Sequence, residues 1–270
     1  MSAWNAMTYE GKDTILQVVR DEAERMFAMA GAPGAWEAPT ACTEWQVRDI
    51  IGHVVDTTEG YFKAFETARA GGSAEAHGLT VMHELAGDGG RAFRNVPQAE
   101  MMRRVRDDLD KMMGILEPLT EEEWGGLIVP HAYMGPVPAF VYAGGQLMDY
   151  GVHSWDIREG IGRAHALSAD AADLLVPFMF IIWQSTVRAS ADLSPFSVGV
   201  TVTGRNAGSY RVSISEQGLA YEPGDVGDLP TVLEFDPAAL VLTAFGRING
   251  GTAKGDQALA ERFLNLFYRI

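Results

Sequence analysis

Five polar side chains between residues 142 and 156 have the spacing of one face of a helix. Taking about 100° per residue, they lie within roughly 80° of one another around the helix axis. They are Tyr142, Gln146, Asp149, His153 and Asp156. The opposite side of this helix is largely apolar, so neither surface resembles an ordinary solvated face. We therefore expect this polar stripe to point inward and to form part of a site.

Two members of the polar stripe, Asp149 and His153, have the spacing of metal ligands. Four residues apart on a helix, their side chains stand one turn apart and can converge on a point between them. A carboxylate and an imidazole need a third partner to hold an ion such as zinc. His53 is the best candidate, because it lies on another long helix at the border of an apolar face. Two histidines and one carboxylate leave a coordination position open for water or substrate.

Structural roles also account for these residues. An Asp–His pair four apart is commonly a weak helix-surface interaction, and a histidine at the border of an apolar stripe is commonly a hydrogen-bonded packing residue. Asp156 can orient a metal ligand, cap a helix or form an ion pair. Cys42 precedes a helix start, where the dipole can activate a thiol, but a buried structural role is favoured because no histidine is near in sequence. The remaining histidines are expected to be exposed loop residues: His77, His83, His131 and His165.

Composition limits the classes of function. The formal charge of −15 and the pI near 4.7 disfavour nucleic acid and anionic membranes as partners, because both would be repelled. The single cysteine cannot form an intramolecular disulfide, and the first residues lack the pattern of a signal peptide. The most apolar segment, residues 174–183, is about half the length that a bilayer requires. These features predict a cytoplasmic protein.

The chain of 270 residues favours two domains. Helical periodicity runs to about residue 191, and alternating strand patterns follow. We therefore predict a helical bundle at residues 1–192 and a small α+β domain at 193–270. Within the bundle, a capping box at Thr43 and Gln46 predicts the start of the second helix. Residues 130–138 are expected to be irregular, because three prolines remove backbone donors.

Three motifs in order resemble one family. The first is Cys42-Thr-Glu-Trp45-Gln-Val-Arg-Asp49-Ile-Ile-Gly-His53, and the second is Asp149-x-x-x-His153-x-Trp155-Asp156-Ile. The third runs from Leu233-Glu-Phe-Asp236-Pro to Gly246-Arg247 and Gly255-Asp256. Together they resemble the mycothiol-dependent maleylpyruvate isomerase family, part of the DinB-like group of thiol-dependent metalloenzymes, over nearly the whole chain.

The resemblance implies a DinB-like four-helix bundle and a sterol-carrier-like C-terminal domain. It also implies that His53, Asp149 and His153 hold a divalent metal, typically zinc, and that Arg247 contributes to the catalytic site. The family presents Glu where this chain has Asp149, and the shorter side chain requires the metal to shift or weakens the site.

By the same resemblance, the metal binds a low-molecular-weight thiol such as mycothiol as a nucleophile toward a small electrophilic substrate. The resulting hypothesis is a thiol-dependent transferase or isomerase. A metal-dependent hydrolase with the same three ligands is an alternative. A non-catalytic small-molecule-binding protein that has lost its metal is another, because of Asp149. The sequence does not identify the electrophile or the oligomeric state.

Overall fold

The computed structural model describes residues 3–78, 81–163, 166–188 and 190–270, and it leaves the side chains of residues 83 and 84 undescribed. Two compact units make up the chain, Met1–Leu167 and Ser168–Ile270. The first is helical and the second contains a sheet, as the sequence predicts. His83 and His165, expected to be exposed, fall outside the described side chains.

Four long helices of the first unit form a closed ring of neighbours. Contacts run from α1 to α6, from α6 to α2, from α2 to α4 and from α4 back to α1. The core between them is apolar, with α2 alone contributing Ile50, Val54 and Phe65 at helical spacing. The helices of this unit are α1 Lys12–Ala30, α2 Val47–Arg69, α3 Met82–Ala92, α4 Gln98–Leu116, α5 Glu121–Gly126 and α6 Phe140–Gly160.

Two local predictions for this unit are wrong. Helix α2 begins at Val47, with Asp49 accepting from the backbone N–H of Gln46 at 2.8 Å, so the cap lies three residues after Thr43. The proline-rich stretch is an antiparallel hairpin of β1 Ile128–His131 and β2 Gly135–Pro138. Prolines are tolerated there because a two-stranded hairpin consists of edge strands.

The second unit is a five-stranded sheet with three helices. Among the described strands the order is β5-β4-β3-β6-β7, in which the β3–β6 pair is parallel and the other pairs are antiparallel. Its elements are α7 Ala169–Thr186, β3 Phe196–Val202, β4 Gly208–Ser215, β5 Gly218–Pro223, β6 Thr231–Phe235, α8 Pro237–Ala244, β7 Thr252–Gly255 and α9 Gln257–Leu264. Its sterol-carrier-like form stays a prediction.

The boundary between the units lies earlier than residue 192. Helix α7 packs against α8 and β5, and the ring of Trp183 stacks on that of Phe267 at 5.5 Å between centroids. These long-range contacts place α7 in the second unit, with the sheet. The helical periodicity of its sequence is the same as that of the bundle helices, so periodicity alone assigned it to the first domain.

Across the described parts of the chain, no helix combines the length and the apolar character that crossing a bilayer requires.

Candidate metal centre

The polar stripe of α6 points inward, as expected. Tyr142, Gln146 and Asp156 are fully buried. Asp149 and His153 retain slight access to solvent, with 13% and 12% of their side chains exposed. The contact between α2 and α6 brings these two residues opposite His53. The polar stripe of α6 is thus buried at a position where apolar side chains would pack more easily. A buried polar face of this kind is typical of a functional site.

His53, Asp149 and His153 meet at one point. His53 Nε2 lies 3.3 Å from Asp149 Oδ1, and the two imidazole rings are 5.1 Å apart at 84°. One ligand atom from each of the three residues lies within 4.8 Å of the others. Ligand atoms bound tetrahedrally to zinc are about 3.4 Å apart, given bonds of about 2.1 Å, so a small contraction would complete the geometry.

The second oxygen of Asp149 gives an independent test of the fit to a cation. Asp149 Oδ2 is buried and, within the described residues, has no hydrogen-bond partner. A buried carboxylate oxygen without a partner is costly, about 1–3 kcal/mol or more. A divalent cation between the three side chains would compensate it, so the donor set fits a metal.

His153 is held by a second carboxylate in the manner of a metal ligand. Its Nδ1 lies 2.8 Å from Oδ2 of the fully buried Asp156, which leaves Nε2 for the ion. Carboxylate partners of this kind fix the tautomer and orientation of metal-binding histidines. Burial lowers the pKa of His153, although Asp156 acts in the opposite direction. The imidazole is therefore neutral, as metal binding requires.

The loop before α2 places an aromatic side chain against the two histidines of the candidate metal centre. The backbone N–H of Ala41 donates to the carbonyl of Asp156, and this contact ties the loop to α6. The Trp45 ring then lies 5.3 Å from the ring of His53 and 5.9 Å from that of His153. Trp45 was part of the motif that resembles the family, but nothing in its spacing indicated this contact with both histidines.

Cys42 lies beside the site and is not fully buried, so the burial expected for it is wrong. It is partly exposed, and its Sγ lies 3.2 Å from Asp156 Oδ2 and 3.9 Å from His153 Nδ1. Cys42, His153 and Asp156 also have the separations of a metal-binding group. The hydrogen bond between Asp156 and His153 explains this second cluster without an ion. The partner histidine is 111 residues away in sequence, which is why sequence reasoning missed it.

His131 was expected in an exposed loop, and the structure corrects this. It ends β1 and is partly buried, with Nδ1 accepting from the backbone N–H groups of Tyr133 and Met134 at 3.2 Å each. Burial lowers its pKa to about 4. His77 is exposed, as expected, and its backbone N–H donates to the carbonyl of Ala132 between the two strands.

Arg247, the predicted catalytic arginine, belongs to the second unit. Its guanidinium donates to the backbone carbonyls of Phe245 and Ile270. Both of these partners belong to the second unit. The catalytic role of Arg247 stays a prediction, as does metal binding by the three ligands in the first unit.

Comparisons with known proteins agree on the family and the fold. The family described as "Mycothiol maleylpyruvate isomerase N-terminal domain" matches residues 19–158, just over half of the chain. No functionally curated protein is similar enough to match.

Solved structures of two forms of one enzyme match over nearly the whole chain. The crystal structure of the mycothiol-dependent maleylpyruvate isomerase is 15% identical, with a TM-score of 0.58, covering 90% of this chain and 93% of that one. A histidine-to-alanine mutant of that isomerase gives the same values. At this identity the likeness establishes the fold.

Proposed function

The chain belongs to the mycothiol maleylpyruvate isomerase N-terminal domain family, and we propose that it is a metal- and thiol-dependent isomerase or transferase. The observation that carries this proposal is the meeting of His53, Asp149 and His153 around a buried carboxylate oxygen, for which the described part of the chain provides no hydrogen-bond partner. The proposed metal is zinc, because two imidazoles and one carboxylate are a common zinc set in catalytic sites. The proposed cosubstrate is mycothiol, and the substrate is a small electrophile.

A divalent cation at this point would supply the positive charge that keeps a thiol ionised and nucleophilic near neutral pH. The protein's part is to fix the ligands and to limit water. Asp156 orients His153, and the Trp45 ring covers the two histidines on one side. The slight exposure of Asp149 and His153 leaves access for a small molecule.

The ionised thiol would add to an electrophilic carbon of the substrate. Addition to a conjugated double bond turns it into a single bond, so that rotation and expulsion of the thiol produce the other geometric isomer. Where the substrate instead carries a leaving group, the thiol stays attached and the reaction is a transfer. Arg247 is a further proposed catalytic residue.

Metal analysis of purified protein tests the proposal first. Wild-type protein prepared without added metal is expected to contain about one zinc per chain. His53→Ala should lose it, Asp149→Glu should retain it, and the matched control His77→Ala should behave as wild type. Protein that neither retains nor takes up zinc would refute the proposal.

Turnover then separates the thiol chemistry from hydrolysis. We expect turnover of maleylpyruvate only when mycothiol is present, and loss of that turnover in His53→Ala. Hydrolysis of test esters without mycothiol would favour the hydrolase with the same ligands. A retained small molecule in native mass spectrometry, without zinc, would favour the non-catalytic alternative.

A further inference from the structure

Three ring side chains meet beside the candidate metal centre and belong to no role described so far. They are Tyr61 of α2, His131 of β1 and Tyr142 of α6, and we call them the ring cluster. Their centroids are 4.7 Å apart for the two tyrosines, 6.0 Å for Tyr61 and His131, and 5.7 Å for His131 and Tyr142. All three carry a polar atom on an otherwise apolar ring, which suits a substrate site.

The hydroxyl of Tyr61 lies against α6 one turn before Asp149. A Cβ built on Gly145 would be 2.5 Å from this hydroxyl, so only glycine leaves room for it. Gly145 and Asp149 are four residues apart and therefore share one face of the helix. The negative charge of Asp149 acts on both Tyr61 and His131. The ring cluster therefore adjoins the metal ligands.

His131 has a fixed tautomer. Its Nδ1 accepts hydrogen bonds from two backbone N–H groups, those of Tyr133 and Met134. A nitrogen that accepts cannot also carry the ring proton, so the proton of the neutral imidazole is on Nε2. The low pKa of about 4 keeps the ring uncharged at neutral pH. His131 thus offers a neutral N–H donor at Nε2, on the side of the ring opposite the Nδ1 atom that accepts from the turn.

Several buried polar atoms of the adjoining face of α6 have no partner. Within the described residues, no hydrogen bond reaches the hydroxyl of Tyr142 or Oε1 of Gln146, and both residues are fully buried. Asp149 Oδ2 is in the same condition. Buried polar groups are normally paired. Of these three atoms, only the Tyr142 hydroxyl can donate to an acceptor oxygen of a bound molecule, whereas Asp149 Oδ2 is the oxygen that a cation would compensate.

We propose that the ring cluster binds the carbonyl oxygen of an α,β-unsaturated carbonyl substrate, with His131 Nε2–H and the phenol of Tyr61 as donors and Tyr142 beneath them. This inference rests on the proposed function. When the thiolate sulfur bonds to the β-carbon, the electron pair of the double bond moves toward the carbonyl, and its oxygen becomes negatively charged. Rotation follows, the electron pair returns, and the carbon–sulfur bond breaks. No oxidant or reductant is consumed.

Neutral donors suit this task. Hydrogen bonds aimed at an oxygen that gains charge stabilise the transition state more than the ground state, and removing one such donor typically costs about 100- to 1,000-fold in kcat. Neutral donors also favour a ketone or aldehyde oxygen over a carboxylate, which recruits arginine more often.

The test compares two donor variants with a matched control in the zinc-loaded full-length protein. Tyr61→Phe removes one hydroxyl. His131→Asn keeps an oxygen that can accept from the N–H groups two and three residues on, as in an Asx turn, but removes the distant donor. Tyr150→Phe is the control, because it also removes a fully buried phenol that has no hydrogen-bond partner among the described residues. This ring packs against Phe27 of α1.

Steady-state kinetics with maleylpyruvate and mycothiol should show kcat lower by about 100-fold or more in Tyr61→Phe and His131→Asn. Zinc content, melting temperature and the KM for mycothiol should stay unchanged, and Tyr150→Phe should remain within twofold of wild type. A merely structural role would lower the melting temperature and leave the kcat of the folded fraction intact.

Two results would overturn the inference, and they differ from each other. If wild type turns over maleylpyruvate and both donor variants match Tyr150→Phe, the ring cluster is not the carbonyl site, and the proposed function stands. If zinc-loaded wild type has no thiol-dependent turnover, the proposed function is refuted, and the proposed carbonyl site is refuted as well because it depends on that function.

Discussion

Replacing Asp149 by Asn should abolish most of the stabilisation that zinc gives to the protein. At a free zinc concentration 100 times the dissociation constant, one bound ion stabilises the folded state by about 2.7 kcal/mol. For a unit of this size, 1 kcal/mol shifts the melting temperature by about 2–4 °C, so zinc should raise it by about 5–10 °C. Even a lost hydrogen-bond partner of a metal ligand typically costs about 10- to 100-fold in affinity. Loss of the charged ligand itself should cost at least 100-fold, which leaves about 0.4 kcal/mol, or roughly 1 °C.

Differential scanning calorimetry of chelated and zinc-loaded samples measures this difference directly. The comparison requires wild type, Asp149→Asn and Asp149→Glu under identical zinc concentrations. Asp149→Glu should keep a shift of several degrees, because it retains the carboxylate. In chelated samples, Asp149→Asn should melt close to wild type, because the substitution preserves the size of the side chain.

Asp107→Asn is the matched control, since Asp107 lies on the exposed side of α4 and only forms a surface pair with Arg103 at 3.3 Å. Its zinc-induced shift should equal that of wild type. An equal shift in wild type and Asp149→Asn would refute the reasoning, because zinc would then be bound elsewhere. No shift in wild type would refute the metal centre itself.

Three further outcomes follow from the contacts. Asp156→Asn should weaken zinc binding by about 10- to 100-fold while the ligands remain, since the orientation and basicity of His153 change; competition with a fluorescent chelator measures this, and unchanged affinity would contradict it. Gly145→Ala should destabilise the protein by about 1–3 kcal/mol through the clash with the Tyr61 hydroxyl, and less in the background of Tyr61→Phe. Urea unfolding measures this, with Gly114→Ala as the control because its Cβ would meet nothing within 4 Å, and additive effects would show that the clash is not the cause. The pKa of His131 is about 4 in the folded protein and 6.5 in the unfolded chain, so the unfolded state binds more protons between these two pH values. The contribution of neutral His131 to the free energy of unfolding is therefore complete above pH 6.5 and is lost as the pH falls toward 4. Urea unfolding of chelated protein from pH 7.5 to 5 should show a smaller loss in His131→Asn than in wild type, and equal losses would contradict the assignment.

The sequence predicted those parts of the candidate site whose geometry depends on residues close together in the chain. Asp149 and His153 stand one turn apart on any helix, so their spacing alone predicts convergence. The inward polar stripe of α6 follows from the same periodicity. His53 required a different inference, from a histidine at the border of an apolar face and from the resemblance of its motif, because the contact between α2 and α6 spans 96 residues.

The remaining features of the fold and the site depend on contacts between residues that are distant in sequence, so only the tertiary structure determines them. The contacts of Cys42 and His131 were not predictable from sequence, because the partners that define their surroundings lie on other elements. Helix α7 has the periodicity of a bundle helix, yet it belongs with the sheet because its aromatic side chains pack there. The proline-rich stretch forms a hairpin because pairing between two edge strands tolerates missing donors. Local periodicity thus determined which residues share a face, and only long-range packing determined what that face meets.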